Sequence, residues 1–515
     1  MQDTMGQALE WLLCLAPIAV LFIGITVARV KVPAAAGAGL AAALATAVML
    51  GNVGGGQILS GASTGASAAI SILYAVWPAM FLYDIMREAG AFAVLRRFAE
   101  SATQDMLALV LLFGWVFSSF LQSITGFGVP VAVCAPFLVA LGVRPVPAVI
   151  MTLIGHSWGN TYGTLGMAWD ALVQMGPVAP ADMTATACLA GALLWVVNLT
   201  GGLIVAGIYG GGRAMAHGLP LIVALSAVMG GGQVAASLVN TTVACFLPST
   251  AALLLFAFLI KLDFYKKSWN CSSRVVGDAS GRTKQHASDA PSLRDVTLCA
   301  SPFVFLAGVS IVLFVIPGMQ ELLAFAQIGG AHIVGHAGFA LLASCLFAIV
   351  IMTRAGRLDS RRRAHAYRGA LDRLWGASAG IILLVIMARI MQTTGQMQIL
   401  AEGVASAAGA AYVPLAPAMG TFGAFVTSSN MSSNILLAGF QNAMAASLNV
   451  SPALLLAAQT AGGAAGAAIG PSTILLGAAT VGATGKEGEM LKPLLIVSFS
   501  QAALLGIIVW ALSVL

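Results

Sequence analysis

The stretch that decides the fold is TSSNMSSNILLAGFQNAMAASLNVSPALLLAAQTAGGAAGAAIGPS, residues 427–472. It lies deep in a very apolar chain. Thr427, Ser428, Ser429, Asn430, Ser432, Ser433 and Asn434 nevertheless place seven small polar residues within eight positions. Such a run lets a helix stop, expose backbone groups and restart. In a bilayer, broken backbone is tolerated only where protein buries it or where it lines a wet cavity. The stretch therefore predicts the tip of a re-entrant hairpin that holds something small and polar.

An earlier segment repeats the pattern. Leu448-Asn449-Val450-Ser451-Pro452 lies on Leu141-Gly142-Val143-Arg144-Pro145, 307 positions earlier. At the same offset 429–434 lies on 122–127, Gly466 on Gly159 and Gly470 on Gly163. A polar tip, an apolar arm, a V-x-P turn and a glycine-broken helix thus occur twice in one order. Paired interruptions of this kind point to a transporter's binding site.

The totals set the class. The 515 residues are 59% hydrophobic and 8% charged, with mean hydropathy +0.95. Soluble domains carry about 25% charged residues, so the chain reads as a polytopic membrane protein in contact with lipid. Its net charge of +6 fits basic loops on the cytoplasmic side rather than nucleic-acid binding. Six of the seven cysteines (14, 134, 188, 245, 299, 345) lie in apolar runs and none forms C-x-x-C, which fits packing rather than a metal or cofactor site.

Residues 9–28, 32–50 and 66–86 read as the first spans. Asp3 and Glu10 before the first span, and Arg29 and Lys31 after it, put the N-terminus outside on an uncleaved helix. Residues 91–99 read as an interfacial amphipathic helix. Hairpin 1 spans about 122–143 and a broken helix about 146–175; residues 183–208 and 219–262 supply further spans, the latter with a glycine break at 230–232. Residues 263–297 read as a flexible cytoplasmic loop carrying Lys266, Lys267, Arg274, Arg282, Lys284 and Arg294. It divides an N-terminal half, 1–262, from a C-terminal half, 298–515. Spans at 298–316 and 335–353 follow, then an arginine-rich inside loop at 354–373. Residues 375–393 run outward and 412–426 return to hairpin 2 at about 428–450, followed by a broken helix at about 453–484 and a last span at 491–515. The helix before tip 1 leaves from the inside and the one before tip 2 from the outside. The expectation is an all-α polytopic membrane protein of roughly 12–14 spans in two inverted repeats, the architecture of alternating access.

At these residues the sequence resembles the lactate permease family. Phe120-Leu121-Gln122-x-x-Thr125-Gly126-Phe127-Gly128-x-Pro130-Val131-Ala132 is similar to that family's F-L-E-G-A-A-G-F-G-x-P-V-A. Ser429-Asn430-Met431-Ser432-Ser433-Asn434 resembles S-D-T-S-S-N, Gly470-Pro471-Ser472-x-Ile474 resembles S-P-Q-x-I, and Gly482-x-x-Gly485-Lys486-Glu487 resembles its G-L-V-G-K-E end. The resemblance implies an inner-membrane, proton-driven symporter of small 2-hydroxy monocarboxylates such as lactate and glycolate. Gln122 and Asn430 stand where the family carries acids, and Ala467 where it carries a lysine. The coupling ion is thus open between a proton and sodium, and the substrate between a 2-hydroxy acid and another small organic anion such as a sulfonate or dicarboxylate.

The candidate substrate residues are Gln122, Ser123, Thr125, Gly126, Gly128, His156, Asn160, Ser429, Asn430, Ser432, Ser433, Asn434, Ser472 and Thr473. Hydroxyls and amides there can cap helix starts or bond a carboxylate and its neighbouring hydroxyl, and half-helix N-termini favour anions. Gln459 and Thr460 flank the second break. His156, Asp170 and Arg389 are the ion-coupling candidates. His156 titrates near neutral pH. The simplest account of Asp170 and Arg389 is a mutual structural ion pair, because lone intramembrane charges are costly; the alternative gives Arg389 to the substrate anion and the proton to Asp170. His217, His332 and His336 read as interfacial. Gly61-Ala62-Ser63-Thr64-Gly65 matches the hydrolase G-x-S-x-G, but neither the strand nor the helix that the motif needs is in place. A hydrolase at Ser63 and a channel are the rivals from other classes. The scaffold helices are the expected face of a homodimer.

Overall fold

In a bilayer each segment must satisfy its own backbone hydrogen bonds, and this chain does so almost wholly with helices. The computed structural model describes residues 2–51, 54–266, 269, 275–276, 291–323, 327–328 and 331–515. Among these, twelve helices are long and apolar enough to cross a membrane. Among the described residues the one β ladder pairs Gln327–Ile328 with Ala331–His332. The all-α expectation holds.

Gln2–Thr26 and Val32–Met49 pack together and lead into Gly55–Glu88, a helix of 34 residues. After the described part of the central loop, Leu293–Phe314 and Ala337–Arg354 lead into Ser360–Thr393, also 34 residues. A left-handed glycine turns the corner after each long helix, Gly90 at φ 69° and Gly395 at φ 76°. Each corner opens a short helix, Ala91–Ala102 or Gln396–Ala408.

The two long helices form the seam of this scaffold. Gly61 and Gly65 sit one turn apart against Ile390 and Ile386, where a Cβ would fall 3.1 and 2.8 Å from backbone Cα atoms. Small residues at that spacing let helix backbones approach. The G-x-S-x-G string is therefore a packing motif in mid-helix, with Ser63 exposed and bonded to Ser60 O. Toward one end, buried Asp84 joins Arg87 of its own helix (3.1 Å) and Arg373 of the other.

Hairpin 1 is Met106–Ile124, with a π-turn at Leu112–Val116, a tip at 125–128 and the return arm Val129–Ala140. Hairpin 2 is Ala416–Thr427, a two-residue tip and Asn430–Leu448. A crossing helix follows each: Pro145–Ser157 and Pro452–Ala467. Both begin at a proline, which suits the first helical turn because it needs no N–H there. Each crosses its entering arm at a glycine. A Cβ on Gly155 would fall 1.8 Å from Gly114 O, and one on Gly462 would fall 1.9 Å from Pro417 O.

Several expected boundaries move. The Gly230–Gly232 break is absent: Met183–Ser226 kinks at Gly210 and Gly211, then runs through a π-turn at Ala227–Gly231 into Gly232–Val239. Gly230 and Gly231 are there for Trp195, whose ring would lie 2.0 Å from a Cβ on Gly230. Arg361, Arg362, Arg363, Arg368 and Arg373 sit in the long helix, which starts at Ser360 rather than after an arginine loop. Lys267, Arg274, Arg282 and Lys284 of the central loop lie outside the described residues. Val275 and Val276 of that loop dock on the turn after hairpin 1, through a bridge to Val143 and Arg144 N–Val275 O at 2.7 Å.

Candidate functional site

Two tips and two broken helices meet in one place. Tip 1 turns through three consecutive left-handed residues, Gly126, Phe127 and Gly128, at φ 61°, 50° and 78°. Tip 2 is Ser428, left-handed at φ 56°, followed by extended Ser429, whose hydroxyl caps Ser432 N at 3.2 Å. Break 1 runs from the 3-10 turn Trp158–Asn160 to left-handed Thr164, Leu165 and Gly166 inside Gly163–Met175. Break 2 is the turn at 468–470 between Pro452–Ala467 and Pro471–Thr480.

Each tip touches both breaks. From tip 1, Gln122 Nε2 donates to Asn160 Oδ1 at 2.9 Å, and a Cβ on Gly126 would lie 2.6 Å from Thr164 Oγ1. A Cβ on Gly128 would lie 2.6 Å from Leu476 Cδ2, just past break 2. From tip 2, Asn430 Nδ2 donates to Thr161 Oγ1 at 3.1 Å, and Ser428 Oγ accepts from Ser472 N at 3.2 Å. A Cβ on Gly470 would press on Ser428 Cα at 2.8 Å.

The polar residues sort into a sealed core and an open rim. In the core, Asn434 Nδ2 donates to Thr460 Oγ1 and to Ala168 O, both at 2.9 Å, and Thr161 and Thr460 share a hydroxyl contact of 2.9 Å. Gln459 donates to Ser433 Oγ and accepts from Gln441, which in turn accepts from Tyr412. All these side chains are buried. The rim is partly or fully exposed: Asn160, Ser428, Ser429, Ser472, Thr473 and the Phe127 ring. Beside it, a cavity of about 220 Å³ opens between tip 1 and the scaffold, lined by Val76, Met80, Phe127, Arg373, Leu374 and Ala377.

Most candidates named from sequence fall in this junction. Gln122 and Ser123 lie within the last turn of the entering helix rather than in the tip, and Ser123 and Thr125 bond their own helix carbonyls. Asn430, Ser432, Ser433 and Asn434 form the first turns of a helix, so the break is two residues wide rather than eight. Gly126 and Gly128 supply the left-handed turn. Ser472 and Thr473 open the half-helix after break 2.

The coupling candidates fare differently. His156 is buried and bonds Thr152 O of its own helix at 2.6 Å. The ion pair expected between Asp170 and Arg389 is not formed: Asp170 has no basic group within 4 Å among the described residues. The Arg389 guanidinium reaches Gln392 Oε1 at 3.4 Å. Of the histidines read as interfacial, His336 caps Ala337–Arg354 through Gly338 N, and His217 bonds Asp105 at 2.8 Å. Thr161, Gln441 and Tyr412 were missed as members of the core. Thr161 lies inside the G-x-x-x-G of break 1, where its hydroxyl was the available signal.

A chain whose described residues hold twelve membrane-length helices, with paired interrupted segments meeting at one polar junction, is built as a polytopic membrane transporter. The L-lactate permease family model matches residues 10–333 and 331–515, and the chain belongs to that family. The L-lactate permease of Halalkalibacterium halodurans is 27% identical over 402 residues, covering 73% of each chain. Glycolate permease GlcA of Escherichia coli is 30% identical over 169 residues, 32% of this chain and 29% of that one. The solved Alcanivorax borkumensis YdaH transporter overlays with TM-score 0.48 at 13% identity, covering 87% of this chain and 86% of that one.

Proposed function

We propose that this protein imports a small 2-hydroxy monocarboxylate, L-lactate or glycolate, in symport with a proton and by alternating access. The observation that carries the reading is the convergence of both tips and both breaks on one polar rim. Ser428, Ser429, Ser472, Thr473 and Asn160 offer that rim hydroxyls, an amide and the N-terminal turns of two half-helices, groups that suit a carboxylate and an adjacent hydroxyl. The names of the relatives support the substrate class. Asp170 carries the proton, because it is an intramembrane carboxyl without a basic partner among the described residues.

The two halves act as inverted repeats around this site. Equal 34-residue helices, paired corner glycines and the crossing glycines Gly155 and Gly462, 307 positions apart, support that relation. Hairpins and broken helices move as one body against the seam of long helices, and Arg373 guides the anion through the cavity beside Phe127. The arginine-rich ends lie on the cytoplasmic side of the inner membrane, which leaves the N-terminus outside.

The test is uptake of radiolabelled L-lactate into proteoliposomes under a proton gradient, a sodium gradient or neither. Concentrative uptake driven by protons and lost in Asp170→Asn is the expected result. Uptake driven by sodium alone sinks the proton route and favours the reading in which neutral Gln122 and Asn430 mark a change of ion. No uptake of lactate or glycolate under any gradient rejects the substrate.

A further inference from the structure

The sealed core of the junction has more acceptors than donors. Asn430 and Asn434 are 2% and 0% exposed, lie one turn apart, and come from the same helix start. Neither amide oxygen, Asn430 Oδ1 or Asn434 Oδ1, meets a donor. Asn434 cannot relieve this by rotating its amide. Its Nδ2 faces Ala168 O at 2.9 Å, and a flip would set two carbonyl oxygens against each other. The threonine hydroxyls face the amide nitrogens rather than these oxygens. Thr460 Oγ1 accepts from Asn434 at 2.9 Å and Asn430 at 3.5 Å, and the hydroxyls of Thr161 and Thr460 bond each other or Thr460 O. Asn430 Oδ1 lies against Gly463, close enough that a Cβ there would fall 2.1 Å away.

Leaving one buried acceptor unmade is costly, and leaving two on a single helix turn is more so. Two such oxygens suit a cation, which needs none of the volume of a substrate. We propose that Asn430 and Asn434 are ligands of a desolvated monovalent cation, held by their two amide oxygens. The oxygens are hard, neutral donors, which suits a singly charged alkali ion better than a divalent one. No Asp, Glu, Lys or Arg side chain bonds to any member of the cluster. The ion sits behind the rim formed by Ser428, Ser429 and Ser472, where its charge meets the carboxylate of the substrate. Its presence is separable from the route of the proton and from the identity of the organic anion.

The experiment is thermal unfolding of the purified full-length protein in detergent, without organic anion. NaCl, LiCl and KCl are titrated against N-methylglucamine chloride at constant ionic strength. A saturable rise in Tm with one alkali ion is expected. Asn434→Leu should abolish the rise, and Asn430→Asp should lower the half-saturating concentration about tenfold or more, because it adds a charge to the donor set. Equal Tm in all salts overturns the proposal and leaves a bridging water as the partner of the two oxygens. So does a shift that survives Asn434→Leu, or one that Asn430→Asp leaves unchanged. If Asn434→Leu does not fold, the Asn430→Asp titration decides alone. A separate titration with L-lactate, run both in N-methylglucamine chloride and at saturating concentration of each alkali chloride, reads the substrate assignment, so either reading can fail without the other.

Discussion

The two hairpin tips do the same topological task with opposite chemistry. Tip 1 turns on Gly126, Phe127 and Gly128, presents an exposed ring, and bonds chiefly with its own half through Gln122 and Asn160. Tip 2 turns on Ser428 and Ser429 and sends Asn430 and Asn434 into the other half, to Thr161 and Ala168. Their return arms differ as well. Val129–Ala140 has 12 residues and Asn430–Leu448 has 19, about 18 and 28 Å at helical rise. The entering arms are exchanged, 19 residues in Met106–Ile124 and 12 in Ala416–Thr427, so the hairpins differ in the chemistry of their tips: tip 1 is an apolar wedge, and tip 2 a polar one that ties the halves together. Shape is shared between them, and specificity is concentrated in the second.

The shared shape should break in the same way on both sides, with the largest effect of any substitution here. Gly155→Ala and Gly462→Ala each drive a methyl into a backbone carbonyl, at 1.8 and 1.9 Å. Backbone flanks both contacts, so the helices must part. Each variant should lose about 3 kcal/mol or more, read as loss of monodisperse protein in detergent or a large fall in Tm. If one is tolerated and the other is not, the two crossings are not equivalent and the repeat relation weakens.

The difference in chemistry should appear next. Thr460→Val keeps the shape of the side chain but removes the atom on which Asn430, Asn434 and Thr161 converge. It strands several buried polar groups and should cost about 2–3 kcal/mol. Gln122→Leu removes one bond to an Asn160 that water can reach, and should cost about 1 kcal/mol or less. Chemical or thermal unfolding of the pair measures the gap. Equal losses would mean that tip 1 is as deeply wired as tip 2.

The same contrast explains what could be read from the chain alone. Tips and breaks were legible because small polar residues and glycines interrupt long apolar runs, and few arrangements tolerate that in lipid. The membrane class was legible from charge content. The widths of the interruptions were not, because Ser and Asn at 430–434 serve equally as first-turn helix residues, and a local pattern does not say which. Gly230 reads as a breaker in sequence but acts as a seat for Trp195, a contact fixed only by tertiary packing. The pairing of Thr161 with Thr460 spans 299 positions, and the absence of an Asp170–Arg389 pair depends on how two helices are placed. Neither leaves a trace in local spacing.

The smallest expected effect tests a feature that both tips share. Phe127 and Ser428 are left-handed residues with side chains, at φ 50° and 56°, a conformation that costs an L-residue roughly 1–2 kcal/mol. Strain of this kind persists where the surroundings over-determine it, often at binding sites. Comparing glycine with alanine at each position isolates the backbone, since neither keeps the native side chain. Phe127→Gly should be more stable than Phe127→Ala by about 1 kcal/mol, and Ser428→Gly than Ser428→Ala by a similar amount, after the entropy of glycine is set against the relief. Unfolding midpoints of the four variants give the answer. If alanine equals glycine at Phe127 but not at Ser428, tip 1 relaxes on losing its ring. The ring would then hold the left-handed turn against the scaffold cavity, and the apolar wedge would be a sprung element where the polar one is a fixed clamp.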